Sequence, residues 1–273
     1  MNNTKIDWCD MSWNPVTGCF HKCPYCYAIG IAHRFGDKNG EEGICHYLSL
    51  PHKKGVDFDG AINPYPYGFD PTFHRYRLDQ PQEKKKPQNI FVGSMADLLG
   101  KWVPDEWIHE VLDHCYLAPW HTYLFLTKNP DRYDDVIGYL ENGVKNYSTP
   151  PCVLFGATAA NNNQLWKAYT SAATWISAEP LHEKLNTEEC FTETRRGDDI
   201  EVPRWLWVVI GAETGDRKDK IIPKREWVED IVEVCRFWEI PVFMKDSLKG
   251  IWGERLIREY PWETSKKQGA DHE

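Results

Sequence analysis

Nowhere does this 273-residue chain approach the roughly 18–20 consecutive apolar residues that a membrane-spanning helix needs. The first residues, MNNTKIDWCD, also lack the apolar run of a secretory signal, so the expected location is the cytoplasm and no membrane partner is expected. Basic charge is short as well. Against 41 Asp and Glu stand 32 Lys and Arg, a net charge of −9, which excludes tight nucleic-acid binding through a broad basic face and leaves room only for a local basic groove. No G-x-G-x-x-G follows any apolar run, which argues against a nicotinamide-dinucleotide site. Beyond one short window there is no second C-x2-C or C-x3-C, so neither a closed four-cysteine zinc site nor a ferredoxin-like run is written in the chain. The nine cysteines of a chain in a reducing compartment stay thiols or bind metal, which excludes a disulfide framework.

That one window is residues 17–28, TGCFHKCPYCYA, with Cys19, Cys23 and Cys26 at C-x3-C-x2-C spacing. A [4Fe–4S] cube has four iron corners, so three thiolates occupy three of them and leave the last open to an outside ligand. A zinc ion would need a fourth donor, for which His21 or His33 is the candidate. Of the other cysteines, Cys115 and Cys235 fall on apolar helical faces and read as small core residues. Cys9, Cys45, Cys152 and Cys190 are isolated in sequence.

A hydrophobic fraction of 41% and this length suit one large domain with a substantial core. Thirteen Trp, thirteen Tyr and eleven Phe fill that core or line a groove that stacks bases. Residues 5–16 read as a first strand delivering the cysteine loop, and residues 25–35 as a helix ended by Gly36. From residue 89 the apolar runs NIFVG (89–93), TYLFLT (122–127), CVLFGA (152–157), TWISA (174–178), LWVVIGA (206–212) and IPVFMK (240–245) read as buried parallel strands. Helical periodicity lies between several of them, at Trp107, Val111, Leu112 and Cys115 and again at Trp227, Val228, Ile231, Val232 and Cys235. The expectation is an α/β fold, a partial or complete (β/α) barrel of parallel strands over residues 1–262. An irregular, proline-divided insertion at about 36–88 covers the mouth of the site, its Arg75, Arg77 and lysine run facing either substrate or solvent. Residues 263–273 form a polar tail.

Chemistry in such barrels gathers where strands end. The polar residues just past each run are therefore candidates: Ser94 and Asp97, Thr127 and Lys128, Thr158 and Asn161, Glu179, Glu213, and Lys245 with Asp246. For each of them a helix cap or a surface ion pair is the plainer role.

The cysteine spacing, with the aromatic Tyr25 just before the third cysteine, resembles the signature of the radical S-adenosylmethionine (radical SAM) superfamily. The runs WNPVTGC, CYA, FVGSMADL, LTKNPDRY, SAEPL and GAETG are similar to those of a phage-associated protein family that carries the same three-cysteine motif. The resemblance implies a (β/α) barrel, a [4Fe–4S] cluster on Cys19, Cys23 and Cys26, and S-adenosylmethionine chelating the open iron. It implies cleavage of that molecule to a 5′-deoxyadenosyl radical, with electrons from a reductant such as flavodoxin or ferredoxin. The backbone at Tyr25 would approach the adenine. Gly93-Ser94-Met95 stands where such enzymes often carry a glycine-glycine-glutamate segment; the glutamate is absent, so Ser94 or backbone carbonyls would meet the amino group. Thr158, Asn161 and Glu213 would serve as ribose or carboxylate contacts. A nucleic acid or nucleotide is the substrate class the phage association favours. A noncatalytic iron–sulfur or zinc protein that binds nucleic acid or a partner, and an iron–sulfur electron carrier, are the other two readings.

Overall fold

A computed structural model describes residues 1–36, 43–53, 62–142, 152–195 and 199–263. Parts of the expected insertion, residues 37–42 and 54–61, and all but the first residue of the polar tail lie outside the described residues. The chain divides into two compact units, Met1–Leu154 and Phe155–Glu273.

In the first unit β1 (Asn2–Asn3) runs antiparallel to β2 (Met11–Trp13). Next along the chain come β3 (Val16–Thr17), α1 (Tyr27–Phe35), β4 (His46–Leu48), β5 (Thr72–His74), β6 (Asn89–Val92), α2 (Asp105–Tyr116), β7 (Thr122–Thr127) and α3 (Tyr133–Asn142). Strands β2, β6 and β7 are parallel neighbours in that order. Helix α2 buries Trp107, Ile108, Val111, Leu112 and Cys115, the stripe that 3.6-residue periodicity predicts. Its first turn carries Asp105 and Glu106, where the helix dipole favours negative charge.

The second unit starts within β8 (Cys152–Thr158) and continues through α4 (Asn162–Tyr169), β9 (Trp175–Ala178), α5 (Thr187–Cys190), the antiparallel pair β10 (Thr192–Thr194) and β11 (Glu201–Pro203), β12 (Trp207–Ile210), α6 (Arg225–Phe237), β13 (Val242–Met244) and α7 (Lys249–Trp252). Strands β8, β9, β12 and β13 are parallel neighbours in that order. Every residue of β9, β12 and β13 is buried, which is why they read as continuous apolar runs rather than alternating ones. Helix α6 covers its side of the core with Val228, Ile231, Val232 and Cys235. The chain is thus α/β with parallel strands and helical connections, the pattern of a partial (β/α) barrel. Among the described residues no helix is long and apolar enough to cross a membrane.

Three local expectations change. The first strand is not continuous over residues 5–16: β2 stops at Trp13, and β3 joins a different sheet, in the order β3-β5-β4. The break falls at Asn14-Pro15, since proline has no N–H for a ladder. Helix α1 begins at Tyr27 rather than residue 25, with Cys26 at the N-cap. The described part of the stretch 36–88 is not a loose cover. Strand β5 is wholly buried and pairs with both β3 and β4. Arg77 donates to the carbonyls of Asn14 and Pro64 and braces the fold, while Arg75 is exposed and pairs with Glu110 on the surface at 3.0 Å.

Strand β5 ends on a buried histidine that forms an acid-sensitive point. Arg77 donates to the Tyr76 hydroxyl, which leaves that hydroxyl's proton for Nδ1 of His74 at 3.3 Å. Nε2 then carries the ring proton towards Thr17 Oγ1 at 2.8 Å. Burial, with a smaller contribution from the Arg77 charge, pushes the imidazole down to about 2 from 6.5. A histidine whose folded pKa is depressed takes up its proton in the unfolded chain first. Stability conferred by the neutral ring is therefore complete above pH 6.5 and is lost as pH falls towards 2, with a limiting slope of about 1.4 kcal/mol per pH unit for one proton. Urea unfolding at pH 7, 6 and 5 should show a steeper acid loss in the wild type than in His74→Gln, by about one proton between pH 6 and 5. Equal slopes would remove His74 as the source.

Candidate functional site

The cysteine loop leaves β3 and enters α1, and its first residues are held from both sides. Gly18 has φ +86°, a left-handed conformation that favours glycine. A Cβ there would overlap the Asp70 carbonyl and come 2.6 Å from that of Phe69. The Gly18 amide donates to Met95 O at 2.9 Å and the Cys19 amide to Phe69 O at 3.0 Å. At the far end the Cys26 amide donates to Cys23 O at 3.1 Å, and no side chain caps α1, so its first amides face the loop's end.

Cys19, Cys23 and Cys26 are each half-buried. Cys19 and Cys26 pack against an apolar cluster of Ala28, Ala32, Phe69 and Met95. Burial is the main reason that the Cys19 thiol is pushed up to about 12; the amide of His21, 3.5 Å from its sulfur, opposes this, while Asp97, Cys23 and Cys26 add to it. A thiol in such an apolar setting stays protonated, and to serve as a metal ligand it would have to give up that proton to the cation. Among the described residues no three His, Cys, Asp or Glu side chains are grouped to hold one metal ion. A single zinc draws its donors to one point. A cubane instead takes each thiolate at a separate corner, so three cysteines at this spacing would not need to meet at one point to hold it.

His21, the candidate fourth zinc donor, points elsewhere. Its Nε2 lies 2.7 Å from Asp97 Oδ2, and since an ionised carboxylate only accepts, Nε2 carries the proton. Asp97 also accepts from Thr127 Oγ1 at 2.7 Å, from the Lys128 amide at 2.9 Å and from the Leu99 amide at 3.2 Å. Asn129 Nδ2 stands 3.4 Å from the same carboxylate. Burial raises the Asp97 pKa, but the bonds from His21, Thr127 and Lys128 outweigh it and hold the carboxyl below its ordinary value. The expected rim residues Asp97, Thr127 and Lys128 thus meet in one network, at the ends of β6 and β7.

Gly93, with φ +81°, turns the chain after β6 into Ser94. Asn14 Oδ1 accepts from Ser94 Oγ at 3.1 Å and from the Met95 amide at 3.0 Å. The Tyr27 hydroxyl donates to Ser94 O at 2.6 Å. Tyr25, half-buried, lies in the loop one residue before Cys26. Asn14 and Asn129 were not among the sequence candidates. Both stand in Asn-Pro pairs, and the residue before a proline is biased to extended backbone; that shared dipeptide was the available signal.

In the second unit the strand ends carry ion pairs. Glu179, after β9, meets Lys245, after β13, at 2.6 Å. Glu213, after β12, is buried and receives Arg217 through two bonds of 2.7 and 2.8 Å. Arg217 is the main reason that the Glu213 carboxyl lies below its ordinary value. His182 Nε2 is 3.9 Å from the same carboxylate. Arg217 and His182 were not predicted; the GAETGDR run carried the first of them four residues past Glu213. Thr158 is buried at the end of β8, and Asn161 caps α4 by accepting from the Gln164 amide at 2.9 Å, the plainer of its two expected roles. Asp246 pairs with Arg258 and Lys249 on the surface.

No curated protein and no solved structure matches the chain. A family model does, described as protein of unknown function (DUF5131), and it covers residues 3–272. With nearly its whole length inside that match, the chain belongs to the DUF5131 family.

Proposed function

We propose that this chain is a radical SAM enzyme, with Cys19, Cys23 and Cys26 holding a [4Fe–4S] cluster and S-adenosylmethionine as the second cofactor. The observation that carries the reading is a half-buried loop with three cysteines at C-x3-C-x2-C spacing, its start pinned by backbone bonds and its Cys19 and Cys26 set against apolar side chains. When bound, the cluster supplies one electron to the sulfonium of S-adenosylmethionine, whose carbon–sulfur bond breaks to methionine and a 5′-deoxyadenosyl radical that takes a hydrogen atom from the substrate.

The chain's own residues provide the surroundings. Ala28, Ala32, Phe69 and Met95 form an apolar wall against Cys19 and Cys26. The His21 amide donates to the Cys19 sulfur, a bond of the kind that sets cluster potential. The turn at Gly93-Ser94-Met95 is fixed by Asn14 and its carbonyls accept from Ala96, Tyr27 and Gly18, so the Ser94 hydroxyl oxygen is the group that would accept from the amino group of S-adenosylmethionine. Glu179 and Glu213 already face cations of their own, and no step is routed through them. The electron comes from a reductant such as a flavodoxin or ferredoxin, the cytoplasm is the compartment that suits free thiols, and a nucleic acid or nucleotide is the substrate class.

Anaerobic reconstitution with iron and sulfide tests this. The expected product holds about four irons per chain, changes its spectrum when S-adenosylmethionine is added, and releases 5′-deoxyadenosine with dithionite. Zinc without iron would turn the reading to a noncatalytic metal protein. A cluster indifferent to S-adenosylmethionine would turn it to an electron carrier.

A further inference from the structure

We infer that Asp97, acting through His21, is the positioning residue of the cysteine loop. The start of the loop is tied by backbone bonds from Gly18 and Cys19, and its end is turned by the Cys26 amide bonding back to Cys23 O before α1 begins. Between them, residues 20 and 21 reach out to the rest of the unit. The rings of Phe20 and His21 lie 5.5 and 4.9 Å from that of Trp102, and His21 extends its Nε2 proton to Asp97. The next residue, Lys22, has φ +52°, so the chain turns sharply just past this tether.

Asp97 is suited to the task because donors other than His21 also hold it. It is 6% exposed, and its two oxygens already accept from Thr127 Oγ1, the Lys128 amide and the Leu99 amide. Thr127 is the last residue of β7, Lys128 follows it and Leu99 lies in the segment after β6, so the carboxylate is fixed to the sheet and not to the loop. His21 joins that anchor to a sulfur: its side chain binds Asp97 while its own amide donates to Cys19 Sγ at 3.5 Å. Releasing the imidazole therefore frees the amide as well, and the half-buried thiols of residues 19–26 become open to reagents. A carboxylate that served only to fix the turns after β6 and β7 would not pass through His21.

The inference concerns the metal-free chain and rests on the proposed cluster only for its effect on iron. The test is the rate at which iodoacetamide alkylates each cysteine of the full chain without metal, read by peptide mass mapping. Exposed Cys152 serves as the reference for reagent access, and fully buried Cys115 reports the fold. In His21→Phe, which keeps an aromatic ring against Trp102 and loses the bond, Cys19, Cys23 and Cys26 should react roughly tenfold faster or more, the change expected when a hydrogen bond to a charged group is lost. His21→Gln, which keeps an N–H for Asp97, should react close to the wild-type rate, and Asp97→Asn should follow His21→Phe. Wild-type rates in His21→Phe, equal rates in the Phe and Gln variants, or an increase shared with Cys115 in His21→Phe would overturn the assignment. In reconstituted protein the half-life of iron release to a chelator should shorten in the same order. Wild-type protein that takes up no iron would sink the proposed function while leaving the alkylation result to stand or fall by itself.

Discussion

Alanine at Cys19, Cys23 and Cys26 together should yield a folded chain that takes up no iron in anaerobic reconstitution and releases no 5′-deoxyadenosine above the protein-free background. In the proposed cluster each thiolate would serve a different corner of a cubane, so each single Cys→Ala should lose nearly all of the activity, and the triple variant should do no worse. The fold should survive. The three side chains are half-buried, and α1 draws no cap bond from the Cys26 side chain. Removing a thiol that burial already holds protonated leaves no orphaned charge behind. Circular dichroism melting of the metal-free proteins should agree within a few degrees, about 1 kcal/mol for a chain of this size. Cys45→Ala and Cys190→Ala, changed outside the loop, should keep iron and activity. Iron bound at wild-type stoichiometry by the triple variant would place the metal elsewhere.

The largest loss of stability should come from a residue with no side chain. Gly18→Ala forces a Cβ into a left-handed backbone, at about 1–2 kcal/mol, and drives it into the carbonyls of Asp70 and Phe69. Neither carbonyl is a flexible side-chain end, so β3 must part from β5. That endangers the bonds from Gly18 to Met95 and from Cys19 to Phe69, each worth about 1 kcal/mol. The expected total is about 3–5 kcal/mol, read as a shift of the urea midpoint at unchanged slope. Gly30 is the control. It lies within α1 with nothing near its missing Cβ, so Gly30→Ala should stabilise by roughly 0.5–1 kcal/mol. A Gly18→Ala variant as stable as the wild type would mean that the loop does not leave β3 in the conformation described.

Much of the architecture could be read from local pattern. Residues 122–127 form a strand over the whole run expected, Cys115 and Cys235 are fully buried, and α2 and α6 bury the stripes that their periodicity marks. Burial imposes a period of 2 or 3.6 on the chain, and that period is visible within a dozen residues. The cysteine spacing was equally local. What the chain could not display alone was which distant residues meet. Strand β3 pairs with β5, more than fifty residues on, because a two-residue strand has no periodicity to announce it. Asp97 could be named as a polar residue past a strand, yet its engagement by His21, 76 positions away, follows from β6 lying beside β2. The same is true of Glu179 and Lys245, whose pairing needs β9, β12 and β13 to stand side by side. The sequence by itself determined where the six strands of the apolar runs, the helices α2 and α6 and the thiols fall, since those depend on the burial of neighbouring residues. The tertiary structure alone decided which carboxylates hold which cations and what tethers the cysteine loop, because hydrogen bonds and ion pairs depend on distances that only the order of the strands sets.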